Sequence, residues 1–402
     1  MRLLYIHQYF TFPTSGGGTR SYDLSTKFLE NGIQPIIITS NGQIEGIKFN
    51  GKKWAIIERD GLILHILNSP VDNTSSFITR IIKFIEFTLL ASFRVLKING
   101  DFVLATSTPL TVGIPALIKK WLGNTPFIFE VRDVWPEVPI AMGVIKNKYA
   151  IYLLEKLEKI IYKNASHVVT LSEDMTKSVK SKGIDNNKIT TIPNISEINR
   201  FSNTTHDPCV LDKPEFKNKK IVLYAGTVGI VNGLDYLVYL ASKFRNNLDV
   251  VFVVIGKGNR LQQVIDLAKE NNVYEKNLYF LPPVSKNDLP NIYSRIDIAS
   301  SFVCDIPALW SNSANKFFDT LAAKKPILIN HLGWQADEIN KEKIGLVLPN
   351  KIEQINESYD LLYQYLSDKN TLNQSGENAF HIAKNKYSLE IAVDKYLNIL
   401  NY

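Results

Sequence analysis

Lys316 and Asp319 stand about one helical turn apart in the stretch SNSANKFFDTLAAKKP, where Ser313, Ala314 and Asn315 read as the small, polar start of a helix. Free amides at a helix start, joined by an ammonium, suit a diphosphate, and a carboxylate one turn later suits the hydroxyl pair of a ribose. The plainer reading is an i,i+3 surface pair worth about 0.2–0.5 kcal/mol. A second cluster lies in FIFEVRDVWPEVP, which crowds Glu130, Arg132, Asp133 and Glu137 at the end of an apolar run beside Trp135. The carboxyl ends of strands are where α/β sheets bind ligands. An internal ion pair between Arg132 and a neighbouring acid is the competing explanation.

Glycine-bearing loops supply the third kind of candidate. Gly16, Gly17 and Gly18 follow the apolar run RLLYIHQYF, Gly226 and Gly229 follow KIVLYA, and Gly256 and Gly258 bracket Lys257 just before Arg260. Such loops let backbone amides approach phosphate, and the helix that follows adds a favourable dipole. The plainer reading of the last loop, taken alone, is an ordinary strand-to-helix turn. None carries GxGxxG or GxxxxGK[ST], which argues against a dinucleotide dehydrogenase or a P-loop ATPase. No two aspartates stand two positions apart, and the six histidines form no ligand-spaced pair. Phosphate neutralisation therefore falls to Lys, Arg and backbone amides, and neither a metal nor another cofactor is expected.

The elements that must position these residues follow a repeated grammar. Apolar β-branched runs alternate with amphipathic ones through the first half, which predicts a parallel sheet covered by helices. A polar stretch with three prolines over 192–220 interrupts the rhythm, and the grammar restarts at KIVLYAG. The expected organisation is a Rossmann-like domain over 1–195, a linker over 196–217, a second Rossmann-like domain over 218–385 and a terminal helix over 386–402 that could dock back on the first domain. Two such α/β domains in tandem are expected to face their strand carboxyl ends across a cleft. The length of 402 residues fits two domains of about 200 residues each.

Composition narrows the class further. With 45% hydrophobic and 21% charged residues the chain reads as globular, and its net charge of +7 comes from Lys and Arg mixed among acids. That balance fits an anionic ligand or an anionic membrane surface. No basic stripe with interleaved aromatics appears, so a nucleic-acid partner is not expected. Two distant cysteines, Cys209 and Cys304, argue for a reducing compartment, and the start MRLLYIHQY turns polar too early for a signal peptide. The stretch 77–97 sets Arg80, Lys83, Arg94 and Lys97 among many apolar residues. It reads either as a partly buried domain helix, which the breadth of its apolar face favours, or as a helix lying on an anionic membrane.

In order, SGGGTR, EVRDVWPE, VVTLSEDM, LYAGTVG with NGLD, VIGKGN and NKFFDTLAAKKP resemble family 4 of the retaining GT-B glycosyltransferases, nearest to the WbuB-like branch of bacterial O-antigen and capsule synthesis. The resemblance covers nearly the whole chain. It implies a nucleotide-sugar donor, UDP-linked by family habit, held mainly by the second domain, and transfer with retention at the anomeric carbon. It also implies a saccharide acceptor on a polyprenyl diphosphate at the cytoplasmic face of the membrane.

Carried over by position, the loop from Gly226 through Thr227 to Gly229, together with Asn315 and Lys316, would face the diphosphate. Asp319 would take the ribose, backbone near Pro283 and Val284 the base, and Gly16 to Gly18 would close over phosphates and sugar. Arg20, Glu130, Glu137 and Ser311 would meet acceptor or donor sugar. Front-face attack would leave Lys316 to stabilise the departing diphosphate and Arg132 with Asp133 to orient the acceptor or sugar.

Three departures stand out. The family's two glutamates become Ser311 and Asp319, its cationic pair in the loop at 226–233 is replaced by Thr227, Val228 and Asn232, and its first-domain histidine aligns with Arg132. Phosphate charge is thereby left to Lys257, Arg260 and Lys316. Two other activities fit the same grammar: a nucleotide-sugar epimerase of GT-B type, and a catalytically silent sugar-nucleotide-binding subunit.

Overall fold

The computed structural model describes residues 1–70, 77–202, 208–247 and 249–400. Residues 203–207 of the expected linker and 401–402 of the expected terminal helix lie outside the described residues. The chain divides into two units, Met1–Pro193 with Leu389–Tyr402, and Asn194–Ser388.

The first unit is built on β1 (Arg2–Ile6), β2 (Gln34–Ser40), β3 (Trp54–Arg59), β4 (Leu62–Leu67), β5 (Phe102–Thr106), β6 (Phe127–Val131), β7 (His167–Thr170) and β8 (Ile189–Thr191). They form one sheet in the order β3-β4-β2-β1-β5-β6-β7-β8, parallel except for the antiparallel β3–β4 pair. The hairpin joining that pair turns at Asp60 and Gly61, both with positive φ (55° and 75°), the Asp-Gly combination that two-residue hairpins favour. Strand β6 is buried along its whole length, as expected of a central parallel strand with both faces covered.

The second unit contains β9 (Lys220–Ala225), β10 (Val250–Ile255), β11 (Leu278–Leu281), β12 (Ile298–Ser301), β13 (Ile327–Ile329) and β14 (Gly345–Val347), in the all-parallel order β11-β10-β9-β12-β13-β14. Order reverses on either side of β9, so the crevice of this sheet opens between the loops that follow β9 and β12.

The described residues of the stretch expected to be a linker, 196–202 and 208–217, are built into the second unit. Phe201, Leu211 and Phe216 are buried in its core, with Phe201 edge-on to Tyr293 and Phe216 edge-on to Tyr279. Ser196 is tied down too, its amide donating to the Tyr387 carbonyl (2.8 Å) and its hydroxyl to the Phe318 carbonyl (2.9 Å).

Helix Leu389–Leu400 belongs to the first unit, where the Tyr396 ring packs edge-on to Phe28 of helix Arg20–Glu30. Its hydroxyl enters a buried knot around Glu130. One carboxylate oxygen accepts from Arg20 Nε (2.7 Å) and Tyr396 (2.5 Å), and the other accepts from Thr106. Arg20 also donates to the carbonyls of Pro193 (2.5 Å) and Ile192 (3.0 Å).

Burial by itself would push the Glu130 carboxyl up. Arg20, Arg132 and the hydrogen bonds from Thr106 and Tyr396 outweigh it and hold the group at about 2. A carboxyl lowered by folding stabilises the native state above its unfolded value, and the gain disappears as pH falls from about 4.5 toward 2. Replacing Glu130 by Ala leaves the Arg20 guanidinium buried without a counter-charge. A loss of about 3–5 kcal/mol is expected, measured as a lower urea midpoint at neutral pH.

Candidate functional site

In the second unit the loops after β9 and β10 pair backbone to backbone. The Gly226 amide donates to the Ile255 carbonyl (2.9 Å), the Val228 amide to the Lys257 carbonyl (3.0 Å), and the Arg260 amide to the Val228 carbonyl (3.1 Å). A Cβ at position 256 would stand 1.9 Å from the Gly226 oxygen, and one at 258 would stand 2.1 Å from the Val228 oxygen. Gly256 and Gly258 are therefore required by close approach within the protein. This gives the glycines of 254–260 a stricter role than an ordinary turn.

Lys316 opens helix Asn315–Ala322 beside this paired platform. Its Nζ donates to the Tyr224 hydroxyl (3.1 Å) and sits 4.5 Å from the centre of that ring, and a Cβ at position 226 would come 3.0 Å from its Cε. Tyr224 in turn donates to the Thr227 carbonyl at 2.6 Å. Burial pulls the Lys316 ammonium down to about 8, with Asp319 countering in part. Among the described residues no carboxylate lies within ion-pair distance of it. No side chain caps the helix start at Ala314, so the first amides of the helix remain available beside the cation.

The other expected donor residues are distributed around this point. Thr227 and Lys257 are exposed, while Gly229 and Asn315 are half-buried. Val284 is half-buried and packed on the core next to exposed Pro283 in the loop after β11. Arg260, expected to carry phosphate charge, reaches both oxygens of Asp235 (3.3 and 3.1 Å), so its charge is already balanced locally. Ser311 is half-buried and donates to the Ala308 carbonyl at 3.2 Å. Asp319 is buried and ion-paired with buried Lys286, a partner that nothing in the spacing of the chain singles out.

The first unit sorts its charges differently. Arg20 and Glu130, expected to meet acceptor or sugar, are locked together in the buried knot and present no free group. Glu137 is likewise engaged, paired with Lys182 (2.9 Å) and accepting from Ser178 (2.9 Å). Arg132 and Asp133 remain half-buried at the end of β6. The Arg132 amide donates to Ser107 Oγ (2.9 Å), its guanidinium makes no ion pair among the described residues, and Asp133 accepts from Thr108.

His7, at the end of β1, lies against Ser21 (2.9 Å). Burial first, and the nearby Arg132 charge second, hold it at about 3 and so neutral. In the glycine triple, Gly16 and Gly17 are exposed and Gly18 half-buried. Gly17 has φ of 125°, a conformation that glycine alone adopts readily.

Comparison with known proteins gives concordant results for both units. The model "Glycosyltransferase Family 4" matches residues 14–200, and "Glycosyl transferases group 1" matches residues 211–381. A protein named as the glycosyltransferase WbjE of Pseudomonas aeruginosa is 25% identical over 238 residues, 57% of each chain. WcaI of Escherichia coli (strain K12), named for colanic acid biosynthesis, is 27% identical over 178 residues, 42% of each. The matches thus span little more than half, and less than half, of those relatives. Among solved structures, Anabaena Alr3699/HepE in complex with UDP superposes with a TM-score of 0.72 at 12% identity, covering 100% of both chains. Glycosyltransferase models thus match most of the first unit, as family 4, and most of the second, as group 1, and the chain shares the GT-B fold end to end.

Proposed function

We propose that the chain transfers a sugar from a UDP-sugar to a lipid-linked saccharide, with retention at the anomeric carbon, in cell-surface polysaccharide synthesis. The observation that carries this reading is the Lys316 ammonium, which has no ion pair among the described residues and stands beside the uncapped helix start and the paired glycine loops. A cation and amides without a protein counter-charge fit a diphosphate. HepE, which shares the fold, has been solved with UDP and with UDP-glucose, and the two relatives carry glycosyltransferase names, one assigned to colanic acid.

In this mechanism the bond between the anomeric carbon and the diphosphate oxygen breaks while the acceptor oxygen bonds to the same face. The acceptor proton passes to the departing phosphate. Lys316 and the amides of Asn315 and Thr227 stabilise the developing charge, Asp319 receives the ribose, and backbone at 283–284 borders the base. Arg132 and Asp133 orient acceptor or sugar, and the open loop at Gly16 to Gly18 admits the sugar. No divalent ion has a part in it.

The acceptor's lipid would bring the chain to the cytoplasmic face of a membrane. Helix Phe77–Leu96 buries Phe84, Phe87, Ala91 and Val95, so the expected domain helix is present. Its outer side nonetheless exposes Ile82, Ile85, Leu89 and Phe93, each more than half accessible, with Lys97 exposed at its end. No described helix is long and apolar enough to cross a membrane. An apolar stripe with an exposed lysine at its end fits the surface of an anionic bilayer, although Lys83 is paired with Glu86 and Arg94 donates to His65.

Three outcomes test the proposal. With a panel of UDP-sugars and chelator present, Lys316→Ala should lower turnover about 10²–10³-fold, and unchanged turnover would remove Lys316 from the reaction. Because the charged ammonium is the binding form, kcat/KM for the donor should fall as pH rises through about 8, and K316R should abolish that fall. Flotation with anionic vesicles should recover the protein and lose it on pairing L89E with F93E. Absence of lipid-dependent recovery in the unaltered chain would discard the membrane contact.

A further inference from the structure

The Asp319 carboxylate is held on one side only. Its Oδ2 accepts from Lys286 Nζ, whereas Oδ1 has no hydrogen-bond partner among the described residues. Both side chains are more than nine-tenths buried. Lys286 rises from the loop that follows β11, two residues beyond Val284. That loop is pinned by Asp288, which accepts from the Ser285 amide (3.2 Å) and hydroxyl (2.7 Å). On the other side, Asp319 belongs to the helix that presents Lys316.

A buried ion pair of this kind is a poor source of net stability, because removing two charges from water offsets most of their attraction. Its geometric effect is different. An ammonium fixed to one oxygen sets the plane of the carboxylate and leaves the second oxygen as an acceptor in a defined place. The pair also ties the loop bordering the base to the helix facing the diphosphate.

We infer that Lys286 is a positioning residue for ribose recognition: it orients Asp319 so that the free oxygen accepts a ribose hydroxyl of a nucleoside diphosphate. Aspartate is one methylene shorter than the family's glutamate, and the pinned carboxylate makes its placement, not its reach, the basis of selection. The inference rests on the nucleotide-sugar reading above. Discrimination between ribose and deoxyribose then depends on a lysine that does not touch the sugar. A buried acceptor positioned for a hydroxyl penalises the ligand that lacks one.

Titration calorimetry with UDP and 2′-deoxy-UDP tests this with a ratio that a merely structural role would not move. The unaltered chain should prefer UDP by about tenfold or more. K286M should weaken UDP binding by about that factor while moving 2′-deoxy-UDP less than about twofold, so that the preference collapses toward one. K286Q, which still offers the carboxylate a hydrogen bond, should keep an intermediate preference, and it serves if K286M does not fold. An unaltered ratio in K286M, or in K286Q where K286M is unfolded, overturns the inference, as does an equal loss for both nucleotides. Failure of the unaltered chain to bind either nucleotide would instead overturn the nucleotide-sugar reading itself.

Discussion

An ammonium drawn out of water with no carboxylate against it is the constraint around which the second unit is arranged. Lys316 pays a desolvation penalty and also stands at the positive end of a helix, two effects that both disfavour its charge. The Tyr224 ring and hydroxyl offset part of this, and Asp319 one turn away offsets more. But Asp319 is itself neutralised by Lys286. Two ammoniums against one carboxylate leave an excess positive charge among groups that are largely buried. No described side chain completes that balance.

The first unit shows the opposite solution. Glu130 lies at the carboxyl end of a central strand, the position where an α/β sheet usually presents its ligand groups, yet both of its oxygens are satisfied from within. Arg20 closes on it from the first helix and Tyr396 from the last, and Arg20 also takes the carbonyls where the chain leaves the unit. One carboxylate thereby joins the strand, the first helix, the exit segment and the terminal helix. Glu137 is similarly bound, to Lys182 and Ser178. Of the charged cluster in FIFEVRDVWPEVP, Arg132, Asp133 and Glu137 are all half-buried, and of these three Arg132 and Asp133 make no ion pair among the described residues.

The alternation of apolar runs and amphipathic helices was enough to read two Rossmann-like halves, because buried parallel strands such as β6 and β10 are continuous apolar segments. The β3–β4 hairpin escaped that reading although Asp60-Gly61 marked it. Strands β8 and β14 have three residues each, too short for a periodic signal. The supposed linker escaped for another reason: Phe201, Leu211 and Phe216 are isolated anchors with no regular spacing, so their burial is decided by the surface they meet. Long-range pairing was the least legible of all. Glu130 meets Arg20 across 110 positions, and Lys286 meets Asp319 across 33, and nothing local to any of these residues marks the partner.

Glycine in the two halves answers to different requirements, and the difference bears on how each half would meet a ligand. At 256 and 258 a side chain would collide with carbonyl oxygens of the neighbouring loop, so glycine there permits two backbones to hydrogen-bond into a fixed platform. The amides of Gly226, Val228 and Arg260 are spent on those bonds, so what the platform contributes is a backbone held on one course. At Gly17 the nearest atom to a hypothetical Cβ is Thr11 Cγ2 at 3.8 Å, so crowding is not the reason for glycine, and the positive φ is. That loop is exposed and owes its course to a backbone conformation that larger residues resist. Backbone hydrogen bonds hold the one, whereas a positive φ sets the course of the other.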